Sequence, residues 1–268
     1  MEVIFEIIAH FCSGSLSFTT MRKFIFWLFL LLFVAALAAT PSPKTARTRL
    51  ADGFDQPVGK PDAEGYYMSR GFRANYHMGE DWNGLAGGNS DLGAPVYSVA
   101  NGLVVMARDV RMGWGNLVII RHTFLENRQL STVDSVYAHL DKIMVREGQQ
   151  VVKGQQVGTI GSNRGMYTAH LHFEIRKNLF IGFNQRGFPR DLSSYYVPGK
   201  FINPRRKLAG SGRSALVAIN TFNLPASSLP ASSDRGKKVG GTETASEKQP
   251  PTRLRLPFRV NRFEDPSL

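Results

Sequence analysis

Tyr167-Thr168-Ala169-His170-Leu171-His172-Phe173-Glu174-Ile175 sets two histidines one residue apart in an alternating polar and apolar stretch. In a β-strand successive side chains point to opposite faces, so His170, His172 and Glu174 share one face and Leu171, Phe173 and Ile175 the other. The apolar face is expected in a core. The opposite face presents two imidazoles side by side, and imidazole is the commonest metal ligand and the commonest general base near neutral pH.

Far upstream, His77-Met78-Gly79-Glu80-Asp81 places a histidine and a carboxylate four positions apart, which converge on one face of a strand. Gly79 and the following Trp82-Asn83-Gly84 argue against a helix there. Zinc accepts nitrogen and carboxylate oxygen, and a catalytic site keeps three protein ligands and one open position. His77, Asp81 and one of the paired histidines meet that count, and strand periodicity leaves open whether His170 or His172 is the third. In Ser135-Val136-Tyr137-Ala138-His139-Leu140, strict alternation puts Val136, Ala138 and Leu140 on one face and Tyr137 and His139 on the other. His139 thereby becomes a fourth histidine able to face a shared cleft.

The rest of the chain reads as short strands. Ala94–Val99, Gly102–Ala107 and Asn116–His122 are rich in β-branched residues and bounded by turn residues, and no stretch from 54 to 204 carries a helical repeat. Residues 145–158 repeat an apolar-turn-Gly unit that suits tight hairpins in a curved antiparallel sheet. The expected fold is mainly β with long loops: a Gly-rich one over 82–91, an extended hairpin over 123–134 and an aromatic, Pro-containing segment up to 204 that covers 183–199. The 54–204 domain is preceded by a linker over 40–53 and followed by a basic, Pro- and Ser-rich tail, 205–268, expected to be largely disordered because its apolar density is too low to offset ordering entropy. Within that tail, Arg253–Val260 alternates basic and apolar residues.

Composition narrows the setting. With 268 residues and 43% hydrophobic content the chain can build a proper core, and a net charge of +12 points to an anionic environment. The single cysteine, Cys12, excludes both an intrachain disulfide and a thiolate zinc site. Met21-Arg22-Lys23, the apolar run Phe24–Ala39 and the small residues before Ala38 form an export signal, with translation expected to begin at Met21 and cleavage after Ala38. The run is short for a permanent anchor, which favours a cleaved signal over an uncleaved N-terminal anchor, and membrane contact is expected only through this signal or anchor. Export to the periplasm or cell envelope suits the positive charge to anionic envelope polymers rather than to nucleic acid.

Together these motifs resemble the M23 family, the LytM and lysostaphin-type zinc metallopeptidases that act on peptidoglycan. His77-Met78-Gly79-Glu80-Asp81 is similar to the family's His-x-Gly-x-Asp, Tyr137-Ala138-His139-Leu140 to its Tyr-x-His-Leu, and His170-Leu171-His172 to its His-x-His strand. The three occur in the family's order, over roughly 54–204. The resemblance implies a LytM-like curved antiparallel sheet and one Zn2+ per chain held by His77, Asp81 and His172. It makes His139 and His170 the catalytic histidines, and the activity hydrolysis of peptide crosslinks or stem peptides of peptidoglycan. A non-catalytic envelope regulator that activates other murein hydrolases is the alternative, disfavoured because every expected ligand is present. A biotinyl or lipoyl carrier, suggested by the Gly-spaced turns around Lys153, has no use for five metal-type residues.

Overall fold

The structure, a computed structural model, describes residues 19, 21–23, 25–30, 44–209 and 212–223. Residues 21–23 and 25–30 are helical, and among the described residues no helix is long and apolar enough to cross a membrane. Cys12, the expected cleavage position at Ala38 and the Arg253–Val260 stretch lie outside the described residues.

Twelve strands follow in order: β1 Thr45–Arg49, β2 Tyr66–Arg70, β3 Glu80–Gly84, β4 Pro95–Tyr97, β5 Gly102–Asp109, β6 Asn116–Glu126, β7 Gln129–Leu140, β8 Gln150–Val151, β9 Gln156–Thr159, β10 Leu171–Arg176, β11 Tyr195–Tyr196 and β12 Ser214–Ala218. The main sheet is antiparallel in the order β2-β3-β10-β7-β6-β5-β8, with β11 added beside β10. The mainly β class and the antiparallel LytM-like sheet read from sequence are what is observed. Register shifts in the β2/β3, β5/β6 and β6/β7 pairs are bulges of the kind that bend and twist a sheet. The β6/β7 hairpin is the longest, and it turns at Asn127-Arg128 with φ of 50° and 63°, the positive values that a two-residue hairpin matching strand twist requires.

The principal core lies on one face of this sheet. Leu171, Phe173 and Ile175 of β10, each fully buried, pack there with Tyr137, Val118, Ile120 and Val104. Each such aliphatic or aromatic side chain contributes about 1.5–3 kcal/mol by leaving water. The two-stranded ribbon β4–β9 closes this core through Val96 and Val157, and a short helix, Pro198–Ile202, adds Phe201 and Ile202. On the opposite face Val136, Ala138, Leu117 and Ile119 form a smaller cluster.

Three expectations are corrected. The Gly-spaced repeat does not fold back on itself as hairpins: β8 pairs with β5 at the edge of the main sheet, and β9 pairs with β4. Thr45–Arg49, expected as linker, is β1, and Ser214–Ala218, expected in the disordered tail, is its antiparallel partner β12. Their pairing brings together segments on either side of the 54–204 domain. It rests on main-chain hydrogen bonds and on buried Thr48 and Val217, so neither segment needs a long apolar run of its own. Finally, Leu140 packs with Tyr137 in the principal core while Val136 and Ala138 face the other way. The alternation fails because β7 bulges at His139, where φ is +61°.

Candidate metal centre

The site lies on the face of the sheet opposite the principal core, where β3, β10 and β7 run side by side. His172 pairs across the sheet with Asp81 on one flank and with Ala138 on the other, so these three project from the same face. Gly79 makes the close approach possible: a Cβ there would collide with the main-chain carbonyl of Phe173, on β10. His77 precedes β3 and is held by a bridge to Arg73. The bulge then turns His139 away from the side its strand position would give it and toward His170 and His172, with ring centroids 4.9 and 5.6 Å away. A non-glycine residue at positive φ is costly, and such conformations cluster at functional sites.

His77 Nε2, Asp81 Oδ1 and His172 Nδ1 form a near-equilateral triangle with sides of 2.9, 2.9 and 3.0 Å. The outer nitrogens settle the tautomers. His77 Nδ1–H donates to the Gly71 carbonyl at 3.0 Å, which leaves Nε2 as an acceptor in the neutral ring. His172 Nε2–H donates to Glu174 Oε1 at 3.0 Å, which leaves Nδ1 as an acceptor. With both rings neutral three acceptors converge, and one cation can satisfy all three at once; without it, a proton on His172 Nδ1 donates to Asp81 Oδ1. Burial pulls the His172 pKa down, but bonds to Asp81 and Glu174 outweigh it and push it up to about 9. Asp81 is likewise held below the usual carboxylate range, because its bonds to His172 and His77 overcome the effect of burial. The group attracts positive charge, and its all-nitrogen-and-oxygen donor set fits a divalent metal such as zinc.

His139 and His170 flank the triangle, each with Nδ1 turned to a main-chain carbonyl. His139 Nδ1–H donates to the Trp114 carbonyl at 3.2 Å and His170 Nδ1–H to the Thr168 carbonyl at 2.7 Å, so each neutral ring keeps its Nε2 as an acceptor. His170 Nε2 lies 3.9 Å from Asp81 Oδ1. Burial, and then the neighbouring His172 and His170, push the His139 pKa down to about 3, which keeps its ring neutral at physiological pH. All five residues singled out from sequence thus line one cavity of about 360 Å3, whose mouth carries the exposed side chains of Tyr76 and Met112.

Glu174, which the sequence places on the strand face of His170 and His172, does hold a histidine N–H, but sequence reasoning missed Arg176 behind it. Glu174 is buried and bonds to both His172 and Arg176, whose Nε donates to Glu174 Oε2 at 2.6 Å. Arg176 in turn donates to the Gly182 carbonyl and lies over the Trp114 and Tyr195 rings. The one available signal was the alternation His172-Glu174-Arg176, three polar residues continuing the metal-facing side of β10. Trp114 sits in a turn, and its carbonyl fixes His139. Tyr76 lines the cavity. His122 is buried and structural: Nδ1–H donates to the Asn101 carbonyl at 2.9 Å, and Nε2 lies 2.7 Å from Ser135 Oγ.

An antiparallel sheet that converges two histidines and an aspartate, with two further histidines beside them, forms a group that could hold a metal ion. The family model for peptidase family M23 matches residues 76–182, which hold all five side chains. The chain is 42% identical over 84 residues to lipoprotein NlpD of Yersinia enterocolitica, a match spanning 31% of this chain and 78% of that protein. It is 38% identical over 118 residues to the peptidoglycan DD-endopeptidase ShyA of Vibrio cholerae, and 38% identical over 103 residues to the murein hydrolase activator NlpD of Escherichia coli. These two matches span 44% and 36% of this chain, but only 24% and 25% of those longer proteins. The chain belongs to peptidase family M23.

Proposed function

We propose that the chain is a zinc-dependent endopeptidase that hydrolyses peptide bonds in the crosslinks or stem peptides of bacterial peptidoglycan. The observation that carries this reading is the triangle of His77 Nε2, Asp81 Oδ1 and His172 Nδ1, each within 3.0 Å of the other two, with the His139 and His170 rings beside it. These three residues would hold one zinc ion per chain. When bound there it would supply Lewis acidity toward water and toward a peptide carbonyl.

The chain's own groups account for the proton traffic. His139 and His170 each have Nδ1 committed to a main-chain carbonyl, so Nε2 is the atom that can take a proton from the attacking water and return it to the departing amine. Burial and its histidine neighbours keep His139 neutral, so its Nε2 is free to accept. Glu174 holds the Nε2–H of His172 and fixes its ring orientation, with Arg176 holding Glu174 in turn. The expected export signal and the +12 charge suit an anionic cell envelope, and the lipoprotein name of the Yersinia relative supports an envelope or periplasmic location. Anionic envelope polymers are the partners proposed for the basic surface and tail.

A second reading, a non-catalytic activator of other murein hydrolases, is favoured by the likeness to the Escherichia coli activator. The intact His and Asp set supports hydrolysis over it. Purified murein sacculi digested with the zinc-loaded chain should release new peptide termini detectable by mass spectrometry, and a chelator should stop their release. Stimulation of an added murein hydrolase with no peptide release by the chain alone would overturn the endopeptidase reading in favour of the activator.

A further inference from the structure

Beside the metal cavity lies a second one of about 440 Å3, and the two share Met112, Trp114, Gln185 and Arg190. Phe188 and Arg186 complete its character: apolar walls, two guanidinium groups, and no carboxylate among its described lining residues. In the first cavity the acids are already committed, Asp81 to the two histidines and Glu174 to His172 and Arg176. Arg70 adds another cation to that lining.

The segment that carries these groups is fastened to the site. The Asn75 N–H donates to the Arg190 carbonyl at 2.7 Å and Arg190 Nη2 donates to the Tyr76 carbonyl at 3.2 Å, next to His77. The Gln185 side-chain amide donates to Glu174 Oε1 at 3.2 Å, and the Gly182 carbonyl accepts from Arg176. Among the described residues neither Arg186 nor Arg190 has a carboxylate within ion-pair distance, whereas buried Arg176 and Arg121 do. Both side chains are exposed at the cavity, and a planar carboxylate matches the guanidinium fork in a bidentate pair.

We infer that this second cavity is a subsite for a carboxylate-bearing residue of the peptide, held by Arg186 and Arg190, with the scissile bond reaching the adjoining His and Asp group. The inference rests on the endopeptidase reading for the identity of the ligand as a peptide, but its test does not depend on turnover. The probes are a synthetic cell-wall stem peptide with its carboxylates free and its twin in which each carboxylate is a carboxamide.

Isothermal titration of the zinc-loaded full chain should show the acid bound at least about tenfold more tightly than its twin, the effect expected of one charge-assisted pair. The Arg186→Gln/Arg190→Gln double variant should bring the twins to within about twofold of each other. Arg128→Gln/Arg146→Gln, which removes the same charge from exposed positions outside both cavities, should leave the preference intact. Equal binding of the twins, binding of neither, or an equal loss of preference in the control variant would overturn the subsite. A chain that cleaves nothing but still prefers the acid removes the endopeptidase reading alone. A chain that cleaves sacculi but binds the twins alike removes the subsite alone.

Discussion

Glu174 Oε1 lies 3.0 Å from His172 Nε2, while its second oxygen, Oε2, accepts from Arg176 Nε at 2.6 Å. Burial alone would raise the Glu174 pKa, yet Arg176 and His172 hold it below the usual carboxylate range. One carboxylate thus orients an imidazole of the acceptor triangle and neutralises a buried guanidinium.

Replacing Glu174 by Gln should damage both roles. Arg176 would be left as a buried charge without its counter-ion, at a cost of about 3–5 kcal/mol. With the ring of His172 no longer fixed, zinc affinity should fall about 10–100-fold. Competition titration with a chromophoric chelator reads the second effect and calorimetric melting the first; unchanged zinc affinity would show that Glu174 does not orient His172.

The five site residues should separate into two groups. His77→Ala, Asp81→Ala and His172→Ala should each lose zinc in elemental analysis, because each removes a corner of the triangle. His139→Ala and His170→Ala should retain zinc and lose hydrolysis by about 10²–10⁴-fold, the usual worth of a positioned acid or base. Full activity in either of the last two variants would remove that residue from the proton pathway.

Gly79→Ala tests the strand approach itself. A Cβ at this position meets the Phe173 carbonyl and crowds Glu174 Cγ at 2.9 Å, so β3 must move away from β10. Since Asp81 and His172 are a cross-strand pair, zinc binding should weaken although no candidate ligand has changed. Wild-type zinc affinity in this variant would show that the sheet absorbs the strain elsewhere.

His122 predicts an acid-sensitive core. Burial lowers its pKa to about 4 from the ordinary value of 6.5, despite the bond to Asn101. The unfolded chain therefore binds a proton below about pH 6.5 that the folded chain refuses until about pH 4, so stability falls as pH drops through that window. The loss is roughly 3 kcal/mol. His122→Asn should show a shallower decline between pH 7 and pH 4 in denaturant titrations; a slope equal to wild type would mean that other groups govern the acid limb.

Much of the site could be read from local patterns. Alternation in β10 separated His172 and Glu174 from Leu171, Phe173 and Ile175, and the two groups do face opposite sides of the sheet. The failures are at places where register matters. His139 reaches the site through a bulge whose position depends on how β6 and β7 align, and Tyr137, assigned to the same face as His139, lies in the principal core. Thr45–Arg49 and Ser214–Ala218 carry no strong strand signal apart from each other, and their pairing becomes visible only when the segments flanking the 54–204 domain meet.

The amino-acid sequence by itself determined the strand-rich class, the core face of β10 and the identity of the five chemically competent side chains, because each depends on residue type and on a period of two. Only the tertiary structure decided the tautomers, the buried Glu174–Arg176 support and the cavity with Arg186 and Arg190. Those depend on which main-chain carbonyl or charged group arrives from a distant segment, and such proximity is set by strand register, bulges and loop anchoring rather than by neighbours in the chain.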